Sequence, residues 1–363
     1  MTCGRLENLT WPRAKRRFTA MLQPQPTGDI PTLSPATDWG RLIQPAEPFL
    51  QSVAARLAEQ VRAFDPSIAA MARYALTNQG KQLRPALVSL SGVAVGKLSE
   101  AHVTVAVIIE MVHLATLVHD DVMDEARMRR QRPTLAAQWG NEVSVLLGDC
   151  LFAEAVRLAA SFPTPDICRA VGAATKNVCT GEILQTMRRG DFLISRADYF
   201  QAVTMKTAEL FALSCELGAL LAGANATGQQ ALREYGLALG TAYQVYDDCL
   251  DIFGTEAQAG KSLGTDLATG KVTLPVLIAR ERLAPAERER LLGMLRTWKP
   301  EMEPALADLL RQANALAESR GVIGGYLTTA RNALAGLPQS ESLLGLFGLT
   351  AFLGQQVEAL GAE

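Results

Sequence analysis

The sequence predicts an all-α protein, on three observations. From about Pro45 onward Ala, Leu, Val and Glu dominate, and apolar residues recur at spacings of three and four, the period of a helix with a buried face. Gly and Pro interrupt that pattern at intervals, as at Pro66, Gly92, Gly96, Pro163, Gly190, Gly223, Gly240 and Gly264, where helices would end. Alternating strand patterns are hard to find. The expectation is a single large bundle of roughly ten or more helices around a central cavity, some helices apolar on most sides and therefore central.

Hydrophobic residues make up 48% of the 363 positions, charged residues 20%, and the formal net charge is -2. Such a chain can bury a large core, and it has no basic excess to suggest nucleic acid. No apolar run is read as having the length and purity of a membrane span. Six scattered cysteines, without CxxC or zinc-like spacing to the three histidines, suit a reduced compartment.

Residues 1–40 differ. They carry Arg5, Arg13, Lys15, Arg16 and Arg17, then Pro24, Pro26, Pro31 and Pro35, with no sustained apolar period. This composition predicts a disordered arm, leaving 41–363 as the all-α domain. Without an apolar h-region the arm is not read as a signal peptide. A cytoplasmic protein is expected, with a plastid as the alternative if the arm is a transit peptide, and Met21 is an alternative start.

The first functional element is Gly80-Lys81-Gln82-Leu83-Arg84-Pro85, which is expected to put Lys81 and Arg84 on one helical face. A Lys point charge and an Arg fork suit a phosphate held without metal. His113 follows, seven residues before the acidic pentad Asp120-Asp121-Val122-Met123-Asp124. Asp120 and Asp124 stand four apart, on one helical face. Arg127, Arg129, Arg130 and Arg132 come next; alone they would read as charge compensation. Lys206-Thr207 then precedes Gln244 and a second pentad, Asp247-Asp248-Cys249-Leu250-Asp251. A Gly-rich segment with Lys261 and Lys271 closes the series, its glycines free to loop over a ligand.

One DDxxD is weak evidence and fits a solvated helix face. Two copies inside apolar stretches are costly unless the carboxylates are paired or bind metal. The fitting counter-charge is Mg²⁺, which takes one or two carboxylates and fills its other positions with water and phosphate oxygens. Two acidic faces suit one diphosphate. Lys81, Arg84, His113 and Arg130 could hold another, across an apolar wall, so the ligand pattern is two diphosphates with greasy tails.

In order and spacing, these motifs resemble the trans-isoprenyl diphosphate synthases of the polyprenyl synthetase family from about Gly80 to Pro275: GKxxRP, the His, both DDxxD pentads, Gly181-Glu182-Ile183-Leu184-Gln185, Lys206-Thr207, Gln244 and the GK…GK…TLP tail. Departures are Gln79, Gln82, Gln131 and Tyr243, where Gly, Arg, Gly and Phe are usual, and beyond about Leu291 the likeness is loose.

The resemblance implies an isoprenoid-synthase fold and a head-to-tail condensation of isopentenyl diphosphate with an allylic diphosphate: dimethylallyl, geranyl, farnesyl or geranylgeranyl. By that likeness Asp120, Asp124 and Asp247 would ligate Mg²⁺, three ions with Mn²⁺ as a substitute, and Asp121, Asp248 and Asp251 would complete the shells. Lys206, Lys261, Lys271 and Arg129 would meet the allylic diphosphate, and the oxygens of Thr207 and Gln244 the allylic cation. Lys81, Arg84, His113 and Arg130 would hold isopentenyl diphosphate. A homodimer is implied. Ala115 and Thr116, with Met111 and Val112 below, would line the product tunnel; small residues nearest the metals favour more than four isoprene units, with geranylgeranyl or farnesyl diphosphate as the alternative. A class I terpene cyclase would replace the second pentad, a non-catalytic subunit would lose both, and a head-to-head enzyme would space its acids differently.

Overall fold

A computed structural model describes residues 39–77, 80–259 and 263–361. The expected arm therefore lies outside the described residues, except that Trp39 and Gly40 already belong to the first helix. Its ring lies 5.7 Å from that of Phe352, which moves the start of the helical domain from residue 41 to Trp39.

In chain order the helices are α1 (Trp39–Ile43), α2 (Glu47–Gln60), α3 (Ala69–Leu76), α4 (Leu83–Val95), α5 (Glu100–Met123), α6 (Leu135–Trp139), α7 (Asn141–Ala160), α8 (Asp166–Met187), α9 (Arg196–Val203), α10 (Glu209–Leu221), α11 (Ala226–Phe253), α12 (Glu256–Ala259), α13 (Thr265–Ala268), α14 (Leu274–Arg282), α15 (Pro285–Arg296), α16 (Glu303–Gln312), α17 (Ala315–Ala333) and α18 (Glu341–Glu358). The described strands are one hairpin, β1 (Met128–Arg129) with β2 (Arg132–Pro133). Arg130 and Gln131 both have positive φ, 51° and 60°, as a two-residue primed turn requires. This is where the sequence lacks the glycine that such a turn favours.

The middle of the bundle is made by α4 and α10, which are apolar on both faces. On α10, Phe211, Cys215 and Ala219 pack into one core with α11, α14 and α16–α18, while Leu210, Leu213 and Leu217 pack into another with α2, α5, α7 and α8. A helix buried all round reads as a run without a polar stripe, which is what made these segments recognisable as central. Glycines on α11 allow the closest contact: a Cβ on Gly236 would lie 2.5 Å from the Phe211 carbonyl oxygen, and one on Gly240 would lie 2.7 Å from Ala208 Cα.

Helix α5 corrects one expectation. By length and composition it is long and apolar enough to cross a membrane. Here it is a core helix, packed against α7, α4, α2 and α10, with Glu110 buried within it and Asp121 near its end.

Candidate active site

Both acidic pentads lie at helix C-termini, the first closing α5 and the second in the last turn and a half of α11. Three elements feed cations towards the first. Between α9 and α10 the chain makes a π turn over Thr204–Ala208. An i→i+5 turn inserts one residue into the helical path, and here it parts two neighbours. Lys206 turns to Asp120, 3.6 Å away, to Gln185 at 3.1 Å, and into closer contact with Glu182. Thr207 turns the other way and donates to Gln244 Oε1 at 2.8 Å. Gly181 of α8 makes room for the turn, since a Cβ there would stand 2.6 Å from the Lys206 backbone nitrogen.

The other two cations converge on Asp124. Lys271 Nζ donates to Asp124 Oδ2 at 3.1 Å, and Arg189 donates to Oδ1 at 2.6 Å. Lys271 belongs to the segment that follows the second pentad, so this contact joins the two acidic regions across the site. Asp121 is engaged within its own neighbourhood, by Arg129 Nε at 2.6 Å.

On the second pentad, Asp248 accepts from Tyr199 at 2.5 Å and from Gln244 Nε2 at 2.7 Å. Asp251 accepts from the backbone nitrogen of Asp266 at 3.1 Å and from Thr265, tying down the start of α13. Asp247 is half-buried. Thus the middle and last aspartates of this pentad orient neighbours.

The electrostatics follow from burial. Burial pushes Asp120 up to about 6, reinforced by Glu182 and Asp124 and opposed by Lys206 and Arg129. Burial also drives Asp248 up to about 8, with Asp266 adding to the rise. Asp124 goes the other way: burial would raise it, but Lys271, Arg189 and Lys206 prevail and hold it below its ordinary value. For Lys206 burial works against the charge, yet Asp120 and Glu182 outweigh it and hold the pKa above normal.

A second pocket of cations lies off these faces. Arg84 is stacked over Phe211, 5.1 Å from the ring centroid, and its Nε is buried without a hydrogen-bond partner. Burial lowers Arg84, and Glu110 opposes the change. His113 is pushed well below its ordinary value, first by burial and then by Arg84, Arg130 and Arg129. Lys81 is exposed and precedes α4. The chain turns left-handed at Gln82, φ 47°, so Lys81 and Arg84 do not share a helical face as their spacing suggested.

Lys261 lies outside the described residues, as does Gln79. Ala115, Met111 and Val112 are buried in the apolar core. Thr116, four residues before Asp120 and hence on its face, is half-buried, its hydroxyl bonded to the His113 carbonyl at 2.7 Å. Sequence reasoning gave no role to Glu182, Arg189 or Tyr199. Tyr199 stands seven residues before Lys206, a spacing that places both on one face of an unbroken helix; only the π turn separates their targets.

Among the described residues, no three His, Cys, Asp or Glu side chains converge as a metal site. Mg²⁺ does not need three, because it keeps several waters and binds through one or two carboxylates. Hard oxygen donors, and a buried Asp120 pushed up to about 6 first by burial and then by Glu182 and Asp124, fit a divalent cation.

The polyprenyl synthetase family model matches residues 65–312. The octaprenyl diphosphate synthase of Escherichia coli is 34% identical over 302 residues, covering 82% of this chain and 93% of that one. Among solved structures, a decaprenyl diphosphate synthase from Rhodobacter capsulatus matches with a TM-score of 0.82 and 32% identity, over 88% of this chain and 99% of that chain. A Caulobacter crescentus polyprenyl synthase complexed with calcium and isoprenyl diphosphate matches with a TM-score of 0.81 and 34% identity, over 88% and 98% of the two chains. The order of motifs, the all-helical fold and these matches agree, and the chain belongs to the polyprenyl synthetase family.

Proposed function

We propose that the protein condenses isopentenyl diphosphate with an allylic prenyl diphosphate, head to tail, to give a longer all-trans polyprenyl diphosphate and free diphosphate. The observation that carries this reading is two separate groups of cations, one on the acidic faces and one around Arg84. Acidic faces with Lys206 and Lys271 suit a metal-bound diphosphate, while the unpartnered Nε of buried Arg84, with His113, Arg130 and Lys81, suits a second diphosphate held without metal.

Asp120, Asp124 and Asp247 are the proposed holders of Mg²⁺, in three ions, with Mn²⁺ as a substitute. When bound, the metal supplies Lewis acidity to the leaving group. Asp121, Asp248 and Asp251 keep Arg129, Gln244 and the start of α13 in place. Lys206, Lys261 and Arg129 stabilise the negative charge that grows on the departing diphosphate, in a site poor in water. The Thr207 hydroxyl fixes the amide of Gln244, so that their oxygens face the allylic carbon as it becomes cationic. His113, beside Arg84 and Arg130, contributes a hydrogen bond to the isopentenyl diphosphate. Alignment of the two reactants removes much of the entropic barrier.

The product is proposed to exceed four isoprene units, in line with the polyprenyl synthases named above. A second copy of the chain is the proposed partner: Val143, Leu146, Val156, Ile183 and Met187 are exposed on α7 and α8, Leu146 by 63%, as a subunit contact would require. The described cysteines are all free thiols, in keeping with the proposed cytoplasmic location.

The test is incubation of isopentenyl and farnesyl diphosphates with Mg²⁺, following released diphosphate and product length. Folded protein that releases none from any allylic primer would overturn the reading.

A further inference from the structure

Arg189 is the side chain at the site that the reaction above does not use. It sits in the turn after α8, where its guanidinium donates to Asp124 Oδ1 at 2.6 Å and to the Met123 carbonyl oxygen at 3.3 Å. Its Nε is buried and has no hydrogen-bond partner. A guanidinium carries five donors in a planar fork matched to carboxylate or phosphate oxygens. Two terminal nitrogens are used on the protein, and the buried Nε–H is not.

Asp124 is also one of the carboxylates proposed above to hold the metal, and the present inference rests on that reading. A guanidinium seated at 2.6 Å on a carboxylate oxygen puts positive charge where a cation would ligate, so Arg189 and a metal compete for it through charge repulsion. We propose that Arg189 is an internal counter-ion for the first acidic face, which holds Asp124 before the metal arrives and passes to the oxygens of the metal-bound diphosphate afterwards. The exchange conserves pairing at each stage: the carboxylate trades a guanidinium for a metal, and the guanidinium trades a carboxylate for a diphosphate.

The turn is tied to the segment that carries the other cation on Asp124. Gly190 N donates to the Gly270 carbonyl oxygen at 2.9 Å, so Arg189 and Lys271 are each next to a residue of one backbone hydrogen bond. Both glycines have positive φ, 76° and 71°, a conformation open to glycine at little cost. Gly270 could not carry a side chain easily, since its Cβ would stand 3.1 Å from Gly190 N. The neighbouring Arg188 is committed elsewhere, to Asp198 at 2.9 Å.

Calorimetric titration of the full-length protein tests this with two probes, Mg²⁺ alone and inorganic diphosphate in saturating Mg²⁺. Loss of a charge-assisted contact corresponds to about tenfold or more in affinity. Arg189→Gln should therefore bind Mg²⁺ alone roughly tenfold more tightly and Mg²⁺-diphosphate roughly tenfold more weakly, and Arg189→Lys should recover part of both. Arg188→Gln should leave both affinities unchanged. If Arg189→Gln changes neither affinity, or weakens Mg²⁺ alone, the proposal is overturned. It is overturned equally if Arg188→Gln reproduces the effect, which would then belong to the turn. Failure of the wild type to bind Mg²⁺-diphosphate would instead strike the proposed function.

Discussion

The phenolic oxygen of Tyr199 lies 2.5 Å from Asp248 Oδ2, and Gln244 holds the other oxygen of the same carboxylate at 2.7 Å. A buried acid pushed up to about 8 is thus pinned from both sides, and the Gln244 amide is pinned with it. Tyr199→Phe leaves one carboxylate oxygen buried without a donor, which costs about 1 to 3 kcal/mol. The melting temperature should fall by roughly 2 to 6 °C, and kcat should fall more than the KM for isopentenyl diphosphate changes. Scanning calorimetry and steady-state kinetics decide this; unchanged values in both would remove Tyr199 from the site.

Asp120→Ala and Asp247→Ala should abolish condensation, because a diphosphate without its metals is a poor leaving group. The fold should survive. Asp120 is pushed up to about 6 by burial and by Glu182 and Asp124, so its loss relieves repulsion. Turnover within about tenfold of wild type, for either variant with native circular dichroism, would contradict the metal-site assignment.

Lys81→Ala should raise the KM for isopentenyl diphosphate about ten- to hundredfold, the equivalent of roughly 1.5 to 3 kcal/mol for a charge-assisted contact, and leave the allylic KM nearly unchanged. Lys81 is exposed and stands before α4 rather than on it, so its removal should not affect stability. Equal rises in both constants would refute two separate anchors.

Ala115→Tyr should shorten the product while leaving the first condensation nearly as fast. Thr116, on the Asp120 face and half-buried, provides the comparison: Thr116→Tyr should act at least as strongly. Chromatography of the products checks both, and unchanged chain lengths in the two variants would place the tunnel floor elsewhere.

A pH prediction concerns His102, distant in role from the reaction. It is fully buried, its Nδ1 bonded to the Ser99 backbone nitrogen at 3.0 Å and its Nε2 3.2 Å from the Gly218 carbonyl oxygen. Burial lowers its pKa, against the partial opposition of those contacts. The unfolded chain titrates near 6.5, so below that pH it binds more protons than the native state. Stability from this site is present above about pH 6.5 and is lost as pH falls towards the native value. Melting curves from pH 7.5 to 5 should fall less steeply for His102→Gln than for wild type. A parallel slope would exclude His102 as a source of acid sensitivity.

Much of this was legible in the sequence because its cause is local. Helical period marks α4, α5, α10 and α11, and carboxylates four apart in apolar surroundings mark both pentads. Gly96 and Gly223 stand just past the ends of α4 and α10, whereas Gly92 and Gly240, expected as stops, lie inside α4 and α11, where a Cβ would meet a neighbour at 2.8 and 2.7 Å. What escaped was non-local. Arg189 lies 65 positions from Asp124, and a pair of arginines after Met187 looks like any solvated helix end. Lys81 and Arg84 have helical spacing, yet Gln82 adopts a left-handed conformation that spacing cannot register. The π turn leaves no periodic trace, since one extra residue in a run of apolar neighbours resembles ordinary scatter.

That turn gives the reaction a fixed ruler. The side chain proposed to meet the departing anion, Lys206, and the one proposed to meet the carbon it leaves, Thr207, spring from adjacent Cα atoms, about 3.8 Å apart across a planar peptide. Helices can breathe and side chains can change rotamer, but this spacing is covalent. Heat, denaturant or a mutation in the surrounding core can tilt the pair without stretching it. The points from which the two side chains set out are therefore fixed by bond lengths, rather than by the softer fit of one helix against another.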